Sequence, residues 1–173
     1  MKKILPLLIV LATPVVFAKT SRFESKYSVI SEKECKTEKR EADFIELRCP
    51  SHDGYAVFID SSEGSAWLSL IKGKLKIQPD VDLAGLKIRE PQTGPIYVDG
   101  EKLEWRYRLT GSKKTLVGLI YRIGGWENLS LLHVVRVDGA KFCQLGVVKT
   151  NEEARALVDG NHRCSGGGRP LDY

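Results

Sequence analysis

Apolar and polar residues alternate with a period of two along much of this chain, a pattern that predicts β-strands. The clearest case is residues 103–109, where Leu103, Trp105, Tyr107 and Leu109 alternate with charged residues. This alternation is typical of a strand that has one face in the core and the other in water. We therefore expect the aromatic face of this strand to be buried.

Further apolar segments, separated by turn residues, predict a chain of strands. They cover residues 27–33, 43–49, 55–60, 66–77, 96–98, 103–109, 115–123, 131–137 and 142–149. Gly73 is expected to bulge or divide the fourth of them, and residues 36–41 are expected to form a polar turn. The spacing of the last four strands predicts an antiparallel meander. Because residues 115–123 are apolar on both faces, this strand should be central and covered on both sides.

One helix is predicted at Asn151–Asp159, with Asn151 as the N-cap and Gly160 after the last turn. The residues of its apolar stripe are Ala154, Leu157 and Val158. The predicted fold class is therefore mainly β (α+β). It consists of an antiparallel β-sheet, barrel-like or arranged as a sandwich, with one C-terminal helix packed on it.

The N-terminus has the pattern of an export signal. Lys2 and Lys3 precede an apolar run over residues 4–17, and small residues around Ala18 suit cleavage after that position. The run is too short to span a bilayer and contains two prolines. We predict a signal peptide at 1–18, one β-rich disulfide-stapled domain at 19–164 and a flexible tail at 165–173. The mature protein should be periplasmic or secreted, without stable membrane insertion.

The charge of the chain excludes one class of partner. The formal net charge is +5, but Lys2 and Lys3 belong to the signal segment, so the mature chain carries +3. Nucleic-acid-binding proteins generally have a concentrated basic face and a larger positive charge. We therefore expect no nucleic acid partner.

The four cysteines, Cys35, Cys49, Cys143 and Cys164, permit three disulfide connectivities. Local pairing is preferred, Cys35 with Cys49 and Cys143 with Cys164. The first pair flanks a polar segment that two adjacent strands can bracket, and the second would tie the C-terminal segment to the sheet. A zinc site is disfavoured because no C-x-x-C pair occurs and because an oxidising compartment favours disulfides.

A row of lysines is the best candidate for a recognition surface. Lys72, Lys74 and Lys76 are expected on one strand face, where they would suit an anionic partner or, as the favoured alternative, protect an edge strand. Arg106 and Arg108 would extend the surface if their strand were a neighbour. Trp126 follows two glycines. Two interpretations of it are equally favoured: an exposed side chain that contacts a partner, or a side chain that packs over the sheet edge.

The histidines and the motifs do not predict a catalytic site. Ser51, His52 and Asp53 hold the residue types of a hydrolase triad, but triads are assembled from distant parts of a chain, so a turn explains this segment better. His133 shares a strand face with apolar residues and is expected to be a hydrogen-bonded core histidine. His162 follows the helix and is expected to interact with its C-terminal dipole.

No phosphate-binding glycine loop or complete calcium-binding loop is present in the sequence. We therefore predict no catalytic, cofactor-binding or metal-binding residues, and no cofactor.

Several segments together resemble a known group of proteins. They are Glu-Trp-Arg at 104–106, Leu-Ile-Tyr-Arg at 119–122, Cys-Gln-Leu-Gly at 143–146, and Asn-Glu-Glu-Ala-Arg at 151–155 followed by Cys164. Over about the last 70 residues the chain resembles uncharacterised small exported proteins of proteobacteria. The resemblance implies a bacterial periplasmic location and transfers no catalytic residue.

These observations predict a non-catalytic periplasmic or secreted binding or inhibitor module. Its partner is expected to be an anionic envelope component or another envelope protein, met through the lysine row or the connection at 79–100. The alternative is an envelope hydrolase with an unrecognised active site. Convergence of two or more histidines with loop acids in one cleft would favour the hydrolase. The sequence does not determine the oligomeric state.

Overall fold

The computed structural model describes residues 22–31, 33–73, 75–78, 97–125, 128–139 and 141–164. The predicted signal segment 1–18, residues 79–96 of the connection, the tail 165–173, Lys74 and Trp126 lie outside these residues. For Lys76 the backbone is described but the side chain is not. Within the described segments, no helix combines the length and the apolar character needed to cross a membrane.

The chain forms two five-stranded antiparallel sheets and one C-terminal helix, which confirms the predicted fold class. The strands are β1 (Arg22–Val29), β2 (Lys36–Arg40), β3 (Phe44–His52), β4 (Tyr55–Ser62), β5 (Ser65–Lys72), β6 (Leu75–Ile77), β7 (Tyr97–Thr110), β8 (Lys113–Gly125), β9 (Leu129–Asp138) and β10 (Lys141–Val148), and the helix is α1 (Asn151–Asp159). Sheet 1 has the order β1-β7-β8-β9-β10, and sheet 2 the order β2-β3-β4-β5-β6.

The two sheets pack face to face in a sandwich-like arrangement around one apolar core. Among the described strands, no ladder closes them into a barrel. Strands β7 to β10 form the predicted meander. Strand β1 pairs with β7, although all five strands of sheet 2 lie between these two strands in the sequence. Sheet 2 is therefore an insertion between two neighbouring strands of sheet 1.

Strand β7 places its aromatic face in the core, as predicted. Leu103 and Trp105 are fully buried, and Tyr107 is 2% exposed. They pack against apolar residues of sheet 2 such as Val57 and Leu68, both fully buried as well. The alternation read from the sequence thus corresponds to the inner face of sheet 1.

Strand β8 is central and covered on both sides, as predicted. Its second face belongs to a separate apolar cluster formed with β9 and α1, to which the helix contributes the buried residues Ala154 and Val158. Gly118 allows this close approach, because a Cβ at this position would lie 2.5 Å from a methyl carbon of Val158 and 2.9 Å from the Val135 carbonyl oxygen. Tight packing against a glycine therefore fixes where the helix crosses the sheet.

The helix has the predicted bounds but a different N-cap. Thr150 is the N-cap and forms a capping box with Glu153: its hydroxyl accepts from the Glu153 backbone N–H, and the Glu153 carboxylate accepts from the Thr150 N–H. The prediction of Asn151 as N-cap was wrong by one residue. A threonine followed three positions later by glutamate is the stronger cap signal, because both partners satisfy free N–H groups.

Both preferred disulfide pairings are confirmed. Cys35 is bonded to Cys49, with their Cα atoms 4.1 Å apart, and Cys143 to Cys164, with their Cα atoms 5.5 Å apart. The second bond ties the segment after α1 to edge strand β10. Two disulfides indicate that the protein matures in an oxidising environment outside the cytoplasm.

Two strand predictions need correction. Residues 36–40, expected in a turn, form edge strand β2, in which all five side chains are exposed. A fully exposed charged edge carries no apolar alternation, so the pattern could not reveal it. Strand β1 begins at Arg22 and ends at Val29, instead of running over residues 27–33.

The three lysines of the predicted row do not belong to one continuous strand. Gly73, with φ of +61°, turns the chain and divides residues 66–77 into the hairpin β5–β6. Lys76 then pairs with Ile71, whereas Lys72 pairs with Leu75. Lys72 and Lys76 thus belong to two antiparallel strands and not to one continuous strand.

We expect Gly118→Ala to destabilise the fold by about 1–3 kcal/mol, the usual cost of overpacking a tight contact. The new methyl group would collide with Val158 and the Val135 carbonyl oxygen. Urea unfolding followed by circular dichroism measures the change. In the Val158→Ala background the same substitution should cost less, and equal costs in both backgrounds would contradict packing of Val158 on Gly118.

Candidate functional site

A groove of about 520 Å³ opens on the outer face of sheet 1, beside the first turns of α1. We call it the helix-side groove. Ile120 and Leu132 of β8 and β9 contribute apolar lining. Asn151 and Arg155 line it from the helix, and Tyr27 lines it from edge strand β1. Its volume lies within the range of roughly 300–1,000 Å³ typical of ligand sites.

An irregularity in β7 supplies another part of the groove lining. Val98 pairs with Ile123 and Leu103 with Tyr121, so residues 99–102 stand opposite the single residue Arg122. Bulges of this kind bend a strand and redirect its side chains. Gly100 lies close against Arg122, since a Cβ on it would be 2.9 Å from the Arg122 Cβ. Asp99, Gly100, Glu101, Lys102 and Arg122 all line the groove.

A partly buried ion pair connects the groove to the helix. Arg155 donates from Nε to Glu104 Oε1 at 2.8 Å and from Nη2 to Glu104 Oε2 at 3.1 Å. The Glu104 side chain is 5% exposed and that of Arg155 is 37% exposed. Arg155 Nη2 also donates to the Tyr27 hydroxyl oxygen at 2.7 Å. Tyr27 and Glu104 are opposite residues of the β1–β7 ladder, so strand register sets this geometry.

The same polar network continues to the C-terminal end of α1. Ser25 donates to Glu104 and accepts from Arg106 Nη1 at 2.9 Å. Arg106 also forms a two-point pair with Asp159, with its Nε at 2.8 Å from Oδ1 and its Nη2 at 2.6 Å from Oδ2. One chain of hydrogen bonds thus joins β1 and β7 to the middle and the C-terminal end of the helix, and it holds the Glu104 and Arg155 side chains of the groove wall in place.

The electrostatics keep Glu104 ionised. Burial alone would raise the pKa of Glu104, but hydrogen bonds from Arg155 and Ser25 lower it below its ordinary value. The hydrogen bond to Glu104 raises the pKa of Arg155. Both groups are therefore charged and mutually bonded at neutral pH. Glu104 cannot serve as a general acid in this state, and its two oxygens already accept hydrogen bonds.

A second polar cluster lies at the β3–β4 turn, where Asp53 and Gly54 both have positive φ. The Tyr107 hydroxyl donates to Asp53 and lies 3.0 Å from His52 Nε2. Because the single phenol proton is given to Asp53, the His52 nitrogen supplies the proton of the second contact. His52 also stacks on Trp105, with ring centroids 4.7 Å apart. This cluster closes one part of the core and leaves the His52 Nε2 engaged as a donor.

The three histidines have separate surroundings. His133 is fully buried on β9, with Nδ1 2.6 Å from the Tyr121 hydroxyl and Nε2 2.7 Å from the Gln144 amide nitrogen. This confirms the expected hydrogen-bonded core histidine. His162 is exposed after the helix, and His52 lies at the β3–β4 turn. Among the described residues, no group of three His, Cys, Asp or Glu side chains is placed to hold a metal ion.

The cations predicted for recognition are distributed over both sheets. Lys72 on β5 donates to the Asp53 carbonyl oxygen at 3.0 Å, and its ammonium lies 4.4 Å from the Tyr55 ring centroid. Arg106 and Arg108 belong to β7 in sheet 1, where both guanidinium groups lie over the Phe23 ring. Since β5 and β7 belong to different sheets, these arginines do not continue a row that contains Lys72.

Sequence reasoning did not identify Glu104, Arg155 and Tyr27 as one unit. In the sequence, Arg155 stands only within the segment 151–155 of the resemblance, and Glu104 is one of the charged residues that alternate with the apolar residues of 103–109. A signal was available, because an acid on the outer face of an inner strand needs a cationic partner once a helix covers that face. Asp99 and Gly100 fall in the connection that was expected to carry function.

Comparison with known proteins adds no assignment. No protein-family model, curated protein or solved structure matches this chain.

We expect Glu104→Gln to destabilise the protein by about 2 kcal/mol at pH 7, because hydrogen bonds to charged groups contribute roughly 1.5–3 kcal/mol. Urea unfolding measures the loss. Since the folded-state pKa of Glu104 is lowered, its contribution is present above its ordinary pKa and is lost as pH falls through the folded value. The difference from wild type should therefore shrink in acid. Exposed Glu101→Gln is the control and should change stability by less than about 0.5 kcal/mol.

We expect His52 to make stability depend on pH near neutrality. Burial lowers the pKa of His52 below 6.5, although Asp53 opposes the shift. As pH falls, His52 of the unfolded chain is therefore protonated at a higher pH than His52 of the folded protein. The free energy of unfolding then decreases as pH drops below about 6.5, and it becomes constant below the folded-state pKa. His52→Gln should flatten this slope in urea unfolding between pH 7.5 and 5. A slope in the His52 variant equal to that of the wild type would refute the assignment.

Proposed function

We propose that this protein is an exported, non-catalytic binding or inhibitor module that acts in the periplasm or outside the cell, and that its ligand binds in the helix-side groove. The observation that carries the proposal is the state of the groove wall. Glu104 and Arg155 are charged, oriented and bonded to each other. They offer a rigid hydrogen-bonding surface, and they offer no free base, acid or nucleophile for a reaction.

The positions of the histidines support binding over the hydrolase alternative. A hydrolase would need a histidine beside a nucleophile and an orienting acid in one cleft. His52, His133 and His162 lie in three different environments, and none of them lines the helix-side groove. Both disulfides support a role outside the cytoplasm, where a cross-linked sandwich resists unfolding and proteolysis.

The proposed partner is an envelope component or another envelope protein. Of these, an anionic component is less well supported by the groove, because its acidic and basic lining residues are equal in number. The relation to small exported proteobacterial proteins is kept as part of the proposal, and it is compatible with this location.

Capture from a periplasmic extract tests the proposal with the mature, disulfide-bonded chain as bait. Asn151→Trp should fill the groove from the exposed first position of the helix and reduce capture at least about tenfold, equivalent to 1.4 kcal/mol. Glu152→Trp is the matched control, because the neighbouring residue is exposed and does not line the groove. Quantitative mass spectrometry of the captured material gives the readout.

Equal capture by wild type and Asn151→Trp would remove the groove as the binding site. A captured component that is progressively cleaved by the wild-type protein would instead support the hydrolase. Substitution of Lys72, Lys74 and Lys76 by glutamate serves as the test of the lysine surface. Loss of capture in that variant alone would place recognition there.

A further inference from the structure

The charges around the helix-side groove cancel. Its acidic lining residues are Asp99, Glu101 and Glu104, and its basic lining residues are Lys102, Arg122 and Arg155. A groove without net charge exerts no long-range attraction on an anion or a cation. A ligand that fits it must be recognised through hydrogen bonds and shape, which favours an uncharged polar molecule.

The groove contains hydrogen-bonding groups whose orientation is already fixed. Arg155 uses Nε and Nη2 on Glu104 and Tyr27, which leaves Nη1 without a partner among the described residues. The Tyr27 oxygen accepts from Arg155, so its own proton is available for donation. Asn151 adds an amide with both donor and acceptor groups. These groups suit a ligand with several neighbouring hydroxyl groups.

An exposed aromatic ring accompanies these polar groups. Tyr27 is 52% exposed, and Val29, at 40%, is the other large hydrophobic residue exposed in the described part of the chain. Ile120 and Leu132 lie in the lining of the same groove, where they are buried. Aromatic side chains with a polar end bind surfaces that are apolar on one side and wet on the other. A pyranose ring has this character, with C–H groups on its faces and hydroxyl groups around its rim.

The rigidity of the wall also favours such a ligand. Sugar hydroxyl groups are strongly hydrated, so binding is favourable only when the replacing hydrogen bonds are already oriented and little side-chain freedom is lost. The network of Arg155, Glu104, Ser25, Arg106 and Asp159 supplies this orientation before any ligand arrives. The polar side chains of the groove wall are thus oriented before a ligand binds.

We propose, as an extension of the proposed binding function, that the helix-side groove binds an uncharged oligosaccharide. A sugar ring packs on Tyr27, and its hydroxyl groups bond to Arg155, Tyr27 and Asn151. Cell-wall glycan and free oligosaccharides share this chemistry. An acetamido sugar and a plain hexose therefore serve as separate probes for the two sources.

Amide chemical shifts of the mature, disulfide-bonded protein test the proposal by NMR titration. Triacetylchitotriose represents cell-wall glycan, maltotriose represents a plain hexose oligomer, and trigalacturonate is the anionic comparison. At least one neutral sugar should cause saturable shifts centred on Gly100, Lys102, Ile120 and Asn151. Preference for triacetylchitotriose would indicate a wall glycan, and preference for maltotriose would indicate a free oligosaccharide.

Variants of Tyr27 separate the contributions of ring and hydroxyl. Tyr27→Ala should weaken binding at least about tenfold, as expected for loss of an aromatic anchor. Tyr27→Phe should weaken it less, because the ring remains. Val29→Ala, on the same strand and outside the groove lining, should bind like wild type.

The outcomes distinguish this inference from the proposed function. Absence of saturable shifts with both neutral sugars, or tighter binding of trigalacturonate than of either, would overturn the oligosaccharide proposal. If capture from extract is still abolished by Asn151→Trp, the groove remains a binding site for another class of ligand. If capture is also independent of the groove, the proposed function itself fails.

Discussion

The central strand β8 must be buried on both faces, and one short helix has to cover the outer one. Strand β8 has 13 residues and extends about 43 Å, whereas the nine residues of α1 reach only about 14 Å. The helix therefore reaches only the part of the outer face around Gly118. The helix-side groove lies beside the helix, where Ile120 and Arg122 of the same strand contribute to its lining.

Charged residues fix the helix where apolar contact is limited. Only Ala154 and Val158 of α1 are buried, which is a small apolar contribution for holding a helix on a sheet. The helix also ends in Asp159, whose charge is unfavourable beside the negative end of the helix dipole.

Cations from the sheet below offset this defect. Arg136 donates from Nη1 to the Val158 carbonyl oxygen at 2.6 Å, and Arg106 pairs with Asp159. In the middle of the helix, Arg155 is held by buried Glu104. This pair also lines the groove, so stability and the proposed recognition depend on the same contact.

Local patterns predicted much of this fold, and long-range contacts account for what they missed. The alternation around Trp105, the apolar character of β8 and the cysteine spacing each report on near neighbours, and each prediction was confirmed. The β1–β7 ladder joins residues such as Ser25 and Arg106, which are separated by the whole of sheet 2. The alternation of apolar and polar residues within a strand does not show which distant strand will pair with it. Edge strand β2 is exposed along its whole length and therefore lacks an apolar pattern.

The candidate site was harder to predict for the same reason. Glu104, Arg155 and Tyr27 are ordinary surface residues when each is read in its own segment. They become a site only when β1 is placed beside β7 and α1 is placed above both. The bulge at residues 99–102 likewise depends on pairing with Arg122. A site made from three elements distant in sequence has no motif, so geometry was required to find it.

The two surfaces considered for recognition differ in what holds their charges. Lys72, Arg106 and Arg108 each lie over an aromatic ring, and the first two also form hydrogen bonds within the protein. With a net charge of only +5 over the whole sequence, they create little surplus field for attracting an anion.

In the groove, Glu104 and Arg155 neutralise each other and keep their orientation. Attraction between free charges is screened by salt, whereas fixed hydrogen bonds in a partly enclosed site are screened much less. The proposed recognition through the groove would therefore depend on the fit of the ligand to fixed groups, and it would persist at ionic strengths that weaken a contact through the lysine surface.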